Sequence, residues 1–259
     1  MTRVSDVLEY LNDLAPMELK MDFDNVGLLV GDRDAKLERA LIALDITEDV
    51  VDEAVQLGAQ LIVSHHPVIF QPVKSILADD LLGRKLMRLI KNDISAICMH
   101  TNLDIAAGGV NDALMDALGA SVSGVLEITG DGVGCGRVGE LSEPVTMQSF
   151  LERCKSALNC NGLRYHDAGR PVKRLAVMGG AGGSCIDLAS ELGCDTYITS
   201  DVKYNGFLDA KELGLNLIDA DHFCTENVIV PVLLDKLSAR FGDVVFSASE
   251  RHKQTAQFF

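Results

Sequence analysis

The residues of this chain best equipped for chemistry are His65 and His66, adjacent imidazoles that close the apolar run Leu61-Ile-Val-Ser and stand directly before Pro67. A second run ends in Cys98-Met-His-Thr-Asn-Leu-Asp104, which supplies His100 and Asp104. Asp219-Ala-Asp-His-Phe-Cys-Thr-Glu226 adds His222 and Glu226. Neighbouring residues on a regular strand point to opposite faces. His65 and His66 therefore serve one site only where the strand gives way to a loop, and Pro67 confines His66 to extended backbone there. His222 and Glu226, four apart, share a face if a helix begins near His222. The set His65, His66, Asp104, His222 and Glu226 holds imidazole and carboxylate but no thiolate, which suits Zn, Mn, Fe or Co in a catalytic site with open positions. With a carboxylate bridge from Glu226 or Asp104, the five donors accommodate two divalent ions per subunit. Such a pair acidifies a bridging water and supplies metal-bound hydroxide near neutral pH.

Each feature has a plainer reading. His100, His166 and His252 read singly as hydrogen-bonded structural residues, and Cys224 as packing. An isolated His-x-x-x-Glu is equally a helix ion pair. The recurrence of such clusters at three predicted strand ends favours metal, because open α/β sheets bind ligands beyond the carboxyl ends of their strands. Asp201, after another strand end, either serves the site by orienting a ligand or moving protons, or caps a helix. Asp24, Asn25 and Asp45 either orient ligands or form local turns. Met178-Gly-Gly-Ala-Gly-Gly-Ser184 lacks the Lys-Ser/Thr of a Walker A loop. It reads as a tight strand-to-helix turn needing positive φ more readily than as a phosphate cradle.

The elements that must position these residues alternate. An amphipathic helix on Val4, Leu8, Leu11 and Leu14 ends at Pro16. A strand over 39–45, a helix over 48–57 capped by Thr47 and stopped by Gly58, and a strand over 59–64 form a right-handed βαβ unit. A helix over 79–91, a strand over 94–100 and a helix over 110–118 continue the pattern. The glycine-dense stretch 130–139 marks a hairpin or a connection between lobes. A second α/β run then follows: helix 147–157, strand 174–178, helix 185–192, strand 196–199, helix 207–212, strand 216–219 and a long helix from about Thr225 to Phe241. The expected fold is α/β, with two α/β lobes of mixed or parallel sheet, residues 1–125 and 126–259, and the metal site in the cleft between them. His65, His66 and Asp104 come from the first lobe, His222 and Glu226 from the second.

Composition narrows the function classes. The 259 residues are 47% hydrophobic and 24% charged, as expected of a globular chain with a sizeable core. A formal net charge of −15 argues against a partner in duplex nucleic acid or at a membrane surface, but leaves room for an anionic small molecule held through metal. Seven cysteines show no C-x-x-C pairing. Together with the lack of a leader pattern and of any apolar run near ~20 residues, they point to reduced thiols in a cytoplasmic protein.

Beyond these readings, Asp22-Phe-Asp-Asn-Val-Gly-Leu-Leu-Val-Gly31, Ser64-His-His-Pro-Val-Ile-Phe70, His100-Thr-Asn-Leu-Asp104, Gly108-Gly-Val-Asn-Asp112, Thr199-Ser-Asp-Val-Lys-Tyr204 and Asp221-His-Phe-Cys-Thr-Glu226 resemble the GTP cyclohydrolase I type 2 homologues, the Nif-three-like family. The resemblance runs from about Arg3 to Phe258. It departs at Phe23, where the family often carries Trp, and at Ser200, where it often carries Gly. It implies two α/β lobes, a dinuclear centre on the same five residues and a homohexameric toroid. The leading expectation is a metal-dependent hydrolase in which metal-bound hydroxide attacks an electrophilic carbon or phosphorus, with Asp201 or Glu226 handling protons; if the family name holds, the attack opens the purine ring of GTP at C8. The alternatives are a phosphoesterase on a nucleotide-like phosphate, or a non-enzymatic metal-binding protein, chaperone or scaffold.

Overall fold

The computed structural model describes residues 1–130 and 132–259, which divide into two compact units: Met1–Ala106 with Val230–Lys253, and Ala107–Ile229 with Gln254–Phe259. In the first unit α1 (Val4–Leu14) buries Val4, Val7, Leu8 and Leu11 along one face. Strands β1 (Gly27–Val30) and β2 (Arg39–Ala43) precede α2 (Glu48–Leu57), whose first turn is tied by Thr47 accepting from the Val50 N–H and whose end is a left-handed Gly58. Then follow β3 (Leu61–Ser64), α3 (Leu81–Lys91), β4 (Ser95–Cys98) and the short α4 (Thr101–Ile105). The sheet runs β1-β4-β3-β2, parallel except for β1. Every residue of β3 and β4 is buried, as expected of strands covered on both faces. Ile62 and Ala96 pack with Val50, Val51 and Ala54 of α2 and Leu86 and Leu89 of α3.

The second unit starts with α5 (Val110–Leu118) and a long hairpin, β5 (Ala120–Gly130) and β6 (Val133–Val145). Of the two alternatives expected at the glycine-dense stretch, a hairpin or a connection between lobes, the hairpin is present; Asp131, within that stretch, lies outside the described residues. After it come α6 (Met147–Ala157), β7 (Arg164–His166), β8 (Val172–Val177), α7 (Ile186–Glu191), β9 (Thr196–Thr199), α8 (Tyr204–Leu213), β10 (Asn216–Asp219) and α9 (His222–Glu226). The six-stranded sheet runs β5-β6-β8-β9-β10-β7, with β8, β9 and β10 parallel and the rest antiparallel. Its core gathers Leu114, Met115, Phe150, Leu151, Leu175, Val177, Ile198 and Ile218.

The chain then returns to the first unit through α10 (Ile229–Arg240) and β11 (Val245–Ala248), which pairs parallel to β2 at the sheet's edge. Two expectations change here. The single long helix from Thr225 is two helices, α9 and α10. A single cut at residue 125 also does not separate the sheets, because β5 begins at Ala120 and β11 belongs with β2. The edge of β2 needs a partner for its backbone groups, and β11 supplies it from over 200 residues away. No helix among the described residues is long and apolar enough to cross a membrane.

Candidate metal centre

In the first unit β3 ends at Ser64, and the backbone N–H groups of both His65 and His66 donate to the Leu44 carbonyl, at 3.1 and 2.8 Å. Two successive donors on one acceptor break the strand's alternation, so both rings can turn the same way. Their centroids lie 4.9 Å apart. The Ser64 hydroxyl donates to the His66 carbonyl at 2.8 Å and fixes the turn. His65, 1% exposed, has Nδ1 2.9 Å from the Met99 carbonyl, and its Nε2 lies 3.6 Å from Oδ1 of the buried Asp104 on α4. His66 Nδ1 lies 2.8 Å from Oδ1 of Asp45, whose other oxygen is 3.3 Å from His252 Nε2. Burial acts to raise the Asp45 pKa, but His252 and His66 outweigh it and hold the carboxyl well below the usual range.

His100, read as structural, belongs to this cluster. One ring nitrogen from each of His65, His66 and His100 falls within 4.8 Å of the other two. His100 Nδ1 meets Asp24 Oδ1 at 2.7 Å, and Asp24 Oδ2 accepts from the backbone and hydroxyl of Thr101 at 3.0 and 2.5 Å. Burial again acts to raise the Asp24 pKa, and these hydrogen bonds reverse it, so Asp24 stays ionised. Phe70 stands edge-on to His100, and the exposed Phe23 stands edge-on to Phe70.

The second unit orders its own pair. Asp221, at φ +66°, caps α9 by accepting from the Cys224 N–H, so a helix does begin at His222. His222 Nε2 then lies 3.1 Å from Glu226 Oε2, and its Nδ1 lies 2.8 Å from Asp201 Oδ2. Asp201 thus meets His222 from a loop residue at φ +53°. Gly180 lies against this pair. At φ +66°, a Cβ there would fall 2.2 Å from Glu226 Oε1 and 3.2 Å from His222 Cε1. The turn's amides are committed internally: Gly179 donates to Asn111 Oδ1, Gly180 to the Thr225 hydroxyl and Gly182 to the Thr199 hydroxyl, at 2.9, 3.0 and 2.9 Å. The positive φ anticipated in this turn is present, and these three N–H groups are not offered to a phosphate.

His166 lies on β7 opposite Leu217, and Cys224 is buried in the core. The signal that could have found His100 is the position of Asp24, but 76 residues separate them and nothing local joins the two. In both units each ligand candidate among the imidazoles has Nδ1 held by a carboxylate or carbonyl, the arrangement that fixes a histidine's tautomer and aims Nε2 at an ion. The donors present, imidazole and carboxylate without exposed thiolate, fit divalent first-row metals.

Known proteins resemble this chain along its full length. The GTP cyclohydrolase 1 type 2 homolog of Clostridium perfringens is 39% identical over 99% of both chains, and that of Streptomyces coelicolor 36% identical over 93% of this chain and 89% of its own. A Bacillus cereus protein related to NIF3 superposes with TM-score 0.92 at 27% identity, covering 100% of this chain and 99% of its own. A Staphylococcus aureus hypothetical protein superposes with the same TM-score at 30% identity, covering 99% of each. Residues 2–254 match the family described as Duf34/NIF3 (NGG1p interacting factor 3), and the chain belongs to that family.

Proposed function

We propose that His65, His66, Asp104, His222 and Glu226 hold two divalent ions, and that the protein is a metal-dependent hydrolase acting on a purine nucleotide. The observation that carries this reading is the second set of contacts. His66 and His222 each rest on a carboxylate and His65 on a carbonyl, at 2.8–2.9 Å. A helix ion pair or a lone core histidine requires no such support on the far nitrogen. Bound ions of this class polarise an electrophilic centre and lower the pKa of water.

The chain's own groups do the rest. Asp45 and the Met99 carbonyl keep the proton on Nδ1 of His66 and His65. Asp201, more than half exposed, holds the Nδ1 proton of His222 and exchanges protons with solvent. Glu226 is buried, and the absence of a side chain at Gly180 leaves room for its carboxylate. The relatives' shared name, GTP cyclohydrolase 1 type 2 homolog, supports ring opening as the reaction class to test first.

The test is turnover by metal-loaded protein on a nucleotide panel, following formate and phosphate separately. Formate release that disappears in Glu226→Ala, with the assembly intact, supports ring opening. Phosphate release alone reassigns the site to phosphoester hydrolysis. Tight metal binding with neither product refutes catalysis on nucleotides and leaves a metal-binding protein.

A further inference from the structure

The five donors above leave out His100, although its ring shares one small volume with His65 and His66. The ring centroids are 4.9 Å apart for His65 and His66, 5.2 Å for His65 and His100, and 5.4 Å for His66 and His100. Imidazole nitrogens sit about 2.1 Å from a bound ion, with each ring centre roughly 1.2 Å further out; at bond angles of about 90–110° the centroids then fall roughly 4.7–5.4 Å apart. All three observed separations lie in that interval. Edge-to-face ring packing spans about 4.5–7 Å, so the separations alone do not distinguish a ligand set from packing. What points to an ion is that one ring nitrogen from each residue falls within 4.8 Å of the other two.

The support behind His100 is also built like a ligand's. Its Nδ1 is held at 2.7 Å by Asp24, whose side chain is fully buried and fixed by two further hydrogen bonds from Thr101. A buried carboxylate committed to one face of an imidazole orients the other face. We propose that His100 is a further metal ligand, through Nε2, so that the first unit presents a face of three imidazoles to an ion. This rests on the metal reading above and extends it. An ion seated on three neutral imidazoles keeps its full positive charge, which favours binding of an anionic oxygen at its open position.

The experiment is a competition titration of Zn²⁺ and Co²⁺ against a chromophoric chelator, on full-length wild type, His100→Asn, Asp24→Asn and the control His166→Asn. In His100→Asn the amide still donates to Asp24, so the buried carboxylate keeps a partner. The expected result is a 10–100-fold weaker affinity for one ion in His100→Asn, a smaller loss in Asp24→Asn, and no change in the control. The visible Co²⁺ spectrum should change in His100→Asn as a nitrogen donor is lost. Should a variant fail to fold by circular dichroism, proton NMR of Co²⁺-loaded wild type decides. Four exchangeable, strongly shifted ring N–H signals support His100 as a ligand beside His65, His66 and His222, and three overturn it. Unchanged affinity and spectrum in a folded His100→Asn refute this inference alone. Wild type that takes up no ion refutes the centre itself.

Discussion

Gly180→Ala tests whether backbone shape, and not only donor identity, positions the proposed ligands His222 and Glu226. The glycine's φ of +66° is left-handed, a region that disfavours an L side chain by about 1–2 kcal/mol. The added methyl would also stand 2.2 Å from Glu226 Oε1 and 3.2 Å from its Cδ, so the carboxylate must swing away from His222. Gly183 in the same turn provides the control: its φ is not left-handed, and a Cβ there meets nothing nearer than Val202 Cα at 3.9 Å. For a chain of this size each kcal/mol moves the melting temperature by roughly 2–4 °C, so Gly180→Ala should melt about 2–8 °C lower in a chelator-containing buffer. It should also bind Zn²⁺ at least about tenfold more weakly, since a displaced ligand loses its place on the ion. Gly183→Ala should stay within about 1 °C and keep its affinity. Calorimetry with and without chelator, with a metal titration beside it, reads both effects. Equal melting temperatures and equal affinities for the two variants would refute the role assigned to Gly180.

Asp45→Asn keeps the shape but removes the charge that orients His66; metal affinity should fall about 10–100-fold in a chelator competition, with secondary structure retained. Burial pushes the Cys154 thiol up to about 12 from an ordinary 9.0, so the folded state favours the neutral thiol and the unfolded chain loses its proton first. Its contribution is complete below about pH 9 and is lost as pH rises toward 12; urea unfolding should show Cys154→Ala losing less stability than wild type between pH 8 and 10.5, by about 2 kcal/mol. All seven cysteines are buried, so native protein should react with a thiol reagent far more slowly than denatured protein, which should show seven thiols. Light scattering on metal-loaded protein should return the mass of six chains if the assembly follows the family; a monomer would refute that expectation.

Much of the site was legible because its chemistry sits in short motifs at strand ends. A doublet of histidines before proline marks the end of a strand in the sequence, although the shared Leu44 carbonyl is what turns both rings in the fold. Asp221 capping a helix at His222 sets the four-residue spacing to Glu226 without help from the rest of the fold. The alternating apolar runs likewise announce strands and helices, since burial on both faces needs continuous hydrophobic sequence. What tertiary structure decided lies in pairs distant along the chain. Asp24 reaches His100 across 76 residues, Asp45 reaches His252 across 207, and Asp201 reaches His222 across 21. Such pairs leave no periodicity, because a single hydrogen bond constrains one residue at each end and nothing between. The same holds for β11, a four-residue strand whose place is set by the open edge of β2, and for the break between α9 and α10. Residue types and motif spacing by themselves determined which side chains can bind metal. Only the folded chain determined which nitrogen each ring offers, that His100 joins the group, and that Gly180 leaves room for Glu226, because orientation arises from contacts that sequence order does not record.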